Sequence, residues 1–137
     1  MWGVTSGTAG AKGVMFKVTA KRDISVKSFE FYTYNVKNAN ITVYTRVGDY
    51  IGHEFNSTGW DNIHHAFITY MGQSTLTKSG NFGSPVQIPE ASIQSFYIVS
   101  NNYIMYNSGT SEGAVLTQDE SLYLHEGEVV TTFCVRT

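Results

Sequence analysis

The chain has 137 residues, of which 42% are hydrophobic and 15% charged, with a net charge of −2. That length supports one domain with a real apolar core and no need of disulfide or metal staples. The near-neutral, interspersed charge excludes an electrostatic nucleic-acid binder, and no run approaches the ~18 apolar residues of a membrane-spanning helix. Nine Tyr, eight Phe and many Thr and Ser favour strands, whereas the strong helix formers Leu and Ala are few. The first twenty residues contain no apolar signal-peptide core.

In chain order, residues 1–12 are rich in Gly, Ser and Thr without periodicity, and read as a flexible lead-in or linker. Residues 13–137 then read as one domain. Gly13–Ala20 alternates as a strand with Phe16, Val18 and Ala20 on one face. Ile24–Tyr34 forms a second strand whose phase slips, since Ile24 and Val26 differ in parity from Phe29 and Phe31. A β-bulge near Lys27-Ser28 would reconcile the two halves. Ile41–Val47 is the third strand, with Ile41, Val43 and Val47 inward and Thr42, Tyr44 and Arg46 outward.

Gly48-Asp49 is a turn that opens a loop ending at Trp60. Ile63–Met71 is a fourth strand, and Thr75–Lys78 has the makings of a short pairing segment. Pro85–Pro89 reads as an edge strand with its prolines at the ends. Ser92–Ser100 and Tyr103–Asn107 are expected to form a hairpin about Asn101-Asn102. Residues 108–120 read as a loop, and Ser121–Glu126 and Glu128–Arg136 as the closing strands. Eight or nine short strands with turn signals about every ten residues predict an all-β, antiparallel two-sheet sandwich of jelly-roll type.

Several signposts occur together: Met15-Phe16-x-Val18-x-Ala20, Ile24, Phe29, Val43-Tyr44-x-x-x-Gly48-x-Tyr50-x-Gly52-x-Glu54 and Trp60. Phe96-Tyr97-Ile98-Val99, Tyr106-Asn107-x-Gly109-Thr110 and Leu122-x-Leu124-x-Glu126-Gly127 follow. In order and spacing, residues 13–136 resemble a β-sandwich module found in large secreted and cell-surface proteins of bacteria and microalgae such as diatoms. The resemblance implies an extracellular, non-catalytic module working in adhesion or assembly, often beside other domains. Two departures stand out. The family pattern runs on from the segment matching Phe133-Cys134-Val135-Arg136 into a Trp-Asn-Gly strand, and the pair His64-His65 is foreign to it. An unfilled last-strand position would invite strand addition from another chain, making the protein a subunit of a filament or larger assembly.

The sites legible in the residues are few. Asn56-Ser57-Thr58 and Asn40-Ile41-Thr42 satisfy the N-glycosylation triplet, and the loop position of Asn56 makes it the better acceptor. His53, His64, His65 and His125 match no metal-ligand spacing, and adjacent strand residues such as His64 and His65 point to opposite faces. Asp49, Glu54, Asp61, Asp119 and Glu120 lie in loops that could hold a structural calcium, although no Asp-x-Asp signature accompanies them. No Gly-x-Ser-x-Gly elbow occurs and nothing pairs two carboxylates, so no enzyme and no cofactor is expected. Cys134, the single cysteine, reads as a buried apolar residue of the last strand or as a bond to another chain.

Aromatics with polar neighbours remain. Asp49, Tyr50, Glu54 and Trp60 in the loop, with Tyr103 and Tyr106 beyond, are candidates for a sugar-stacking site. The partner is expected to be a protein or an extracellular glycan, with self-association as a further option.

Overall fold

A computed structural model describes residues 10–105, 113–127 and 133–136. The chain is all-β, with no helix among these residues and hence none long and apolar enough to cross a membrane. Eleven strands are present among the described residues: β1 (Gly10–Ala20), β2 (Ile24–Val26), β3 (Ser28–Phe31), β4 (Val36–Val47), β5 (Asp61–Met71), β6 (Thr77–Lys78), β7 (Val86–Ile88), β8 (Ile93–Met105), β9 (Val115–Gln118), β10 (Leu122–His125) and β11 (Phe133–Arg136). A six-stranded sheet runs in the order β5-β4-β8-β1-β10-β9. Against it stand a three-stranded sheet, β11-β3-β6, and the pair β2-β7, and every pairing is antiparallel.

Period-two alternation explains the main core. Val14, Phe16 and Val18 of β1, Ala39, Ile41 and Val43 of β4, and Phe96 and Ile98 of β8 all point to one face of the large sheet and are buried there. They meet Ile24, Val26, Phe29, Phe31 and Ile88 from the small sheets. Phe29 is the hub. Its ring lies 5.4 Å from Phe16, 5.0 Å from Phe96 and 5.2 Å from Phe82, edge to face in each case. Such contacts contribute roughly 0.5–1.5 kcal/mol each beyond the area they bury.

Five expectations from the pattern are corrected. The phase slip before Phe29 is no bulge within one strand. The chain breaks at Lys27, leaving β7 (Ile24↔Ile88, Val26↔Val86) and joining the other small sheet, so parity changes with the sheet. Asn101-Asn102 turns no hairpin, because β8 runs through it for 13 residues. Between Ala11 and Gly13 of β1 the partner on β8 moves from Ile104 to Val99, so the two asparagines sit in a wide bulge. On the other side, beyond the last β4–β8 pair Ile41↔Ser100, their side chains bond to β4: Asn101 Oδ1 accepts from the Asn40 amide at 2.9 Å, and Asn102 Nδ2 donates to the Asn38 carbonyl at 3.1 Å.

The expected loop at 108–120 contains β9, the far edge of the large sheet. Val47 keeps inward parity but overruns the core and is 80% exposed, whereas Thr45 is buried and bonded to the Ser95 carbonyl and to Gln94. Gly10–Lys12, read as linker, belong to β1; residues 1–9 and 128–132 lie outside the described residues.

Candidate functional site

The second face of the large sheet divides into a covered and an open half. Residues 48–60 link β4 to β5 and fold back as a strap over Met15, Tyr44, Tyr97 and Val99. Gly48 and Gly59, at its two ends, have φ of +91° and +86°, backbone that favours glycine. At Gly59 a Cβ would also stand 3.1 Å from Arg46 Nη1.

The strap is pinned at several points. Lys17 Nζ donates to Asp49 Oδ2 at 2.6 Å from the neighbouring β1, while Asp49 Oδ1 accepts from the Ile51 amide at 3.1 Å. Burial pushes the Asp49 carboxyl up, but the Lys17 ammonium and the Ile51 and Tyr50 amides outweigh it, and the net position lies below the ordinary 3.8. The Gly48 carbonyl accepts from Ser95 Oγ at 2.7 Å, and Trp60 Nε1 donates to the His53 carbonyl at 3.1 Å.

Tyr50 and Trp60 are therefore corrected from ligand-facing rings to packing ones. Tyr50 is fully buried, and Trp60, 8% exposed, packs edge-on against Tyr97 at 6.2 Å with the Arg46 guanidinium over its ring, 5.9 Å from the ring centre. They cover the sheet with apolar area that water would otherwise meet. Glu54 is half-buried in the strap; its Oε1, together with Arg46 Nε and Nη1, is buried with no hydrogen-bonding partner among the described residues. The ring the strap does offer to solvent is Phe55, 70% exposed, beside an exposed Ile51.

The other candidate residues scatter. Tyr103 stands exposed on β8, with Lys12 Nζ 5.2 Å from its ring centre, and Tyr106 lies outside the described residues. Asn56 is exposed and its Oδ1 accepts from the Thr58 amide at 2.9 Å. Asn40, expected at the mouth of a strand, instead lies well inside β4 because that strand begins at Val36, though its side chain is exposed.

Among the described residues no three of His, Cys, Asp and Glu converge. Asp49 is engaged with Lys17, and Asp119 Oδ1 caps the Ser121 and Leu122 amides. His64 and His65 do part to opposite faces, His64 to the Ser79 carbonyl and His65 to Thr42 Oγ1. Cys134 falls on β11 opposite Glu30.

The open half of the face was not foreseen. Val36 and Met71 are Cα partners across β4 and β5, and both are exposed, as are Phe67 on β5 and Tyr103 on β8. Tyr34, also exposed, donates its amide to the Tyr103 carbonyl at 3.2 Å. The signal was present in the alternation of His65, Phe67, Thr69 and Met71, which sets two large apolar side chains on one strand face. A scan against protein-family models and a search of curated proteins each found no match.

Proposed function

We propose that the chain is a non-catalytic, extracellular β-sandwich module that mediates adhesion or assembly of the surface or secreted protein to which it belongs. One observation carries this reading. The open half of the large sheet exposes Val36, Phe67, Met71 and Tyr103 on three adjacent strands, ending at the edge strand β5. Apolar side chains grouped in this way on a folded surface mark a contact face. Its chemistry suits a protein surface, since the rows between these side chains are neutral Asn38, Asn40 and Thr69.

The test is attachment of protein-coated beads to protein-coated and polysaccharide surfaces, comparing the wild-type chain with the double variant Phe67→Lys/Met71→Lys. Attachment to protein surfaces that the variant loses is the expected result. Equal attachment by both chains would sink the reading. A second reading, carbohydrate binding, moves from the strap to Tyr103, an exposed ring near the amides of Asn101 and Asn102. Binding on a glycan array that Tyr103→Ala abolishes would favour it over the first.

A further inference from the structure

Strand β5 ends the large sheet, and among the described residues no strand pairs with its outer edge. The Met71 amide donates to Thr77 Oγ1 at 2.8 Å, away from β4, whereas Gly72 bonds back towards β4's side through Thr33, by its amide at 2.9 Å and its carbonyl at 3.2 Å. In an antiparallel ladder successive residues alternate in the direction of their amide and carbonyl groups. The β4–β5 register is unbroken from Val36↔Met71 to Val43↔His64. His65, Phe67 and Thr69 therefore turn both backbone groups outward, and among the described residues nothing takes them up.

We propose that a second copy of this chain pairs with β5, antiparallel and two-fold symmetric, with Phe67 on the axis. That register sets Phe67 against Phe67 of the second copy and His65 against Thr69, using every outward group in about six hydrogen bonds. Two six-stranded sheets become one of twelve. The symmetry axis stands perpendicular to the sheet, so the open apolar halves of the two copies fall on the same side and run together.

Three observations favour a second copy over an unrelated strand. From Asn62 to Met71 there is no Asp, Glu, Lys or Arg, so a strand meeting itself brings no like charges together. Nor does β5 contain a proline, a glycine or an outward-facing charge between His65 and Met71, the usual devices that blunt an edge. The opposite edge, β9, is guarded: it has four residues, runs into Asp119-Glu120, and is crossed by Lys21, which donates to Gln118 Oε1 and to the Asp119 carbonyl. Third, Phe67, the middle of the three outward-facing residues, is 68% exposed, and the proposed register covers it with its own symmetry mate. An interface of one strand and a few side chains falls at the small end of the scale, so the dimer is weak.

Self-pairing rests on the assembly reading and is tested apart from it, in solution with no surface present. Sedimentation velocity is run from about 1 μM to about 1 mM on the wild-type chain, Phe67→Lys and Phe67→Pro. Proline at 67 removes an outward amide and leaves the β4 ladder its donors, so the monomer stays folded by near-ultraviolet circular dichroism. The wild-type chain is expected to dimerise and both variants to lose at least tenfold in affinity. Hydrogen exchange adds the register: the amides of His65, Phe67 and Thr69 gain protection with concentration, whereas those of Ala66 and Ile68 are protected throughout. A chain that is monomeric at 1 mM, or a dimer untouched by both variants, overturns the proposal. If beads still attach through the Phe67/Met71 face while the chain stays monomeric, self-pairing fails and the adhesion reading stands.

Discussion

Replacing Tyr50 with alanine decides between two pictures of residues 48–60. As a ligand-facing ring on an open loop, Tyr50 would be dispensable to the fold, and its removal would cost within about 0.5 kcal/mol. As the fully buried ring of the strap, packed with Met15, Trp60 and Tyr97, it leaves a cavity against the sheet. Aromatic-to-alanine changes in such sites cost about 3–5 kcal/mol, the lower end applying because a loop relaxes into the space more readily than a strand. For a chain of this size that is a fall in melting temperature of roughly 10–15 °C. Urea unfolding followed by tryptophan emission in a Trp2→Phe background reads stability and Trp60 burial together. Tyr50→Ala is expected to shift the Trp60 emission to the red in the native baseline and to move the midpoint down. Tyr103→Ala, exposed and touched by Lys12, is expected to do neither. A Tyr50→Ala protein of wild-type stability with an unchanged Trp60 emission would refute the strap.

Three other outcomes follow from particular contacts. The Asp49 carboxyl is held below its ordinary value, so its contribution is complete above about pH 4 and disappears as pH falls through the lower native value. With Asp49 40% exposed, solvent screening limits the Lys17 pair to about 1 kcal/mol; Lys17→Met should cost about that and raise the carboxyl's titration, read by carbon NMR, and an unmoved titration would dissolve the pair. Gly127→Ala would set a Cβ 1.8 Å from the Met15 carbonyl oxygen, backbone against backbone, so a loss above about 3 kcal/mol in urea is expected and one under 1 kcal/mol would contradict this close approach. Ala91 holds φ of +65°, strain of about 1 kcal/mol for a residue with a Cβ; Ala91→Gly relieves it against the added chain entropy of glycine, for a net effect between zero and a gain of about 0.5 kcal/mol. A clear destabilisation by Ala91→Gly would mean the methyl group makes contacts worth more than the strain.

The all-β class and most strand positions were legible because alternation is a local signal. Phe16, Val18, Ile41 and Val43 announce their face by themselves. What alternation does not carry is which sheet a strand joins. The parity change between Val26 and Phe29 fits a bulge or a change of sheet equally well, and only the partners Ile88 and Lys78 separate the two. Asn101-Asn102 failed for a related reason, since asparagine tolerates irregular backbone in a bulge as readily as in a turn.

The site was the least legible part. Tyr50 and Trp60 sit among polar residues in a Gly-rich stretch and look like surface chemistry; their burial depends on Tyr97 and Met15, brought beneath them from distant segments. Phe67 lies on the strand face opposite buried Tyr70, and it faces water at the sheet's edge.

The strand order has a consequence for how the chain is made. β1 lies between β8 and β10, with Phe16 opposite Phe96 and Val18 opposite Leu124, so a strand translated early waits for both of its neighbours until late in synthesis. The β4–strap–β5 unit, by contrast, joins neighbours in the sequence and closes on its own pairing first. Until Leu124 leaves the ribosome the nascent chain holds β1 with at least one edge unmatched, the period when it is most open to capture by chaperones or by other nascent chains.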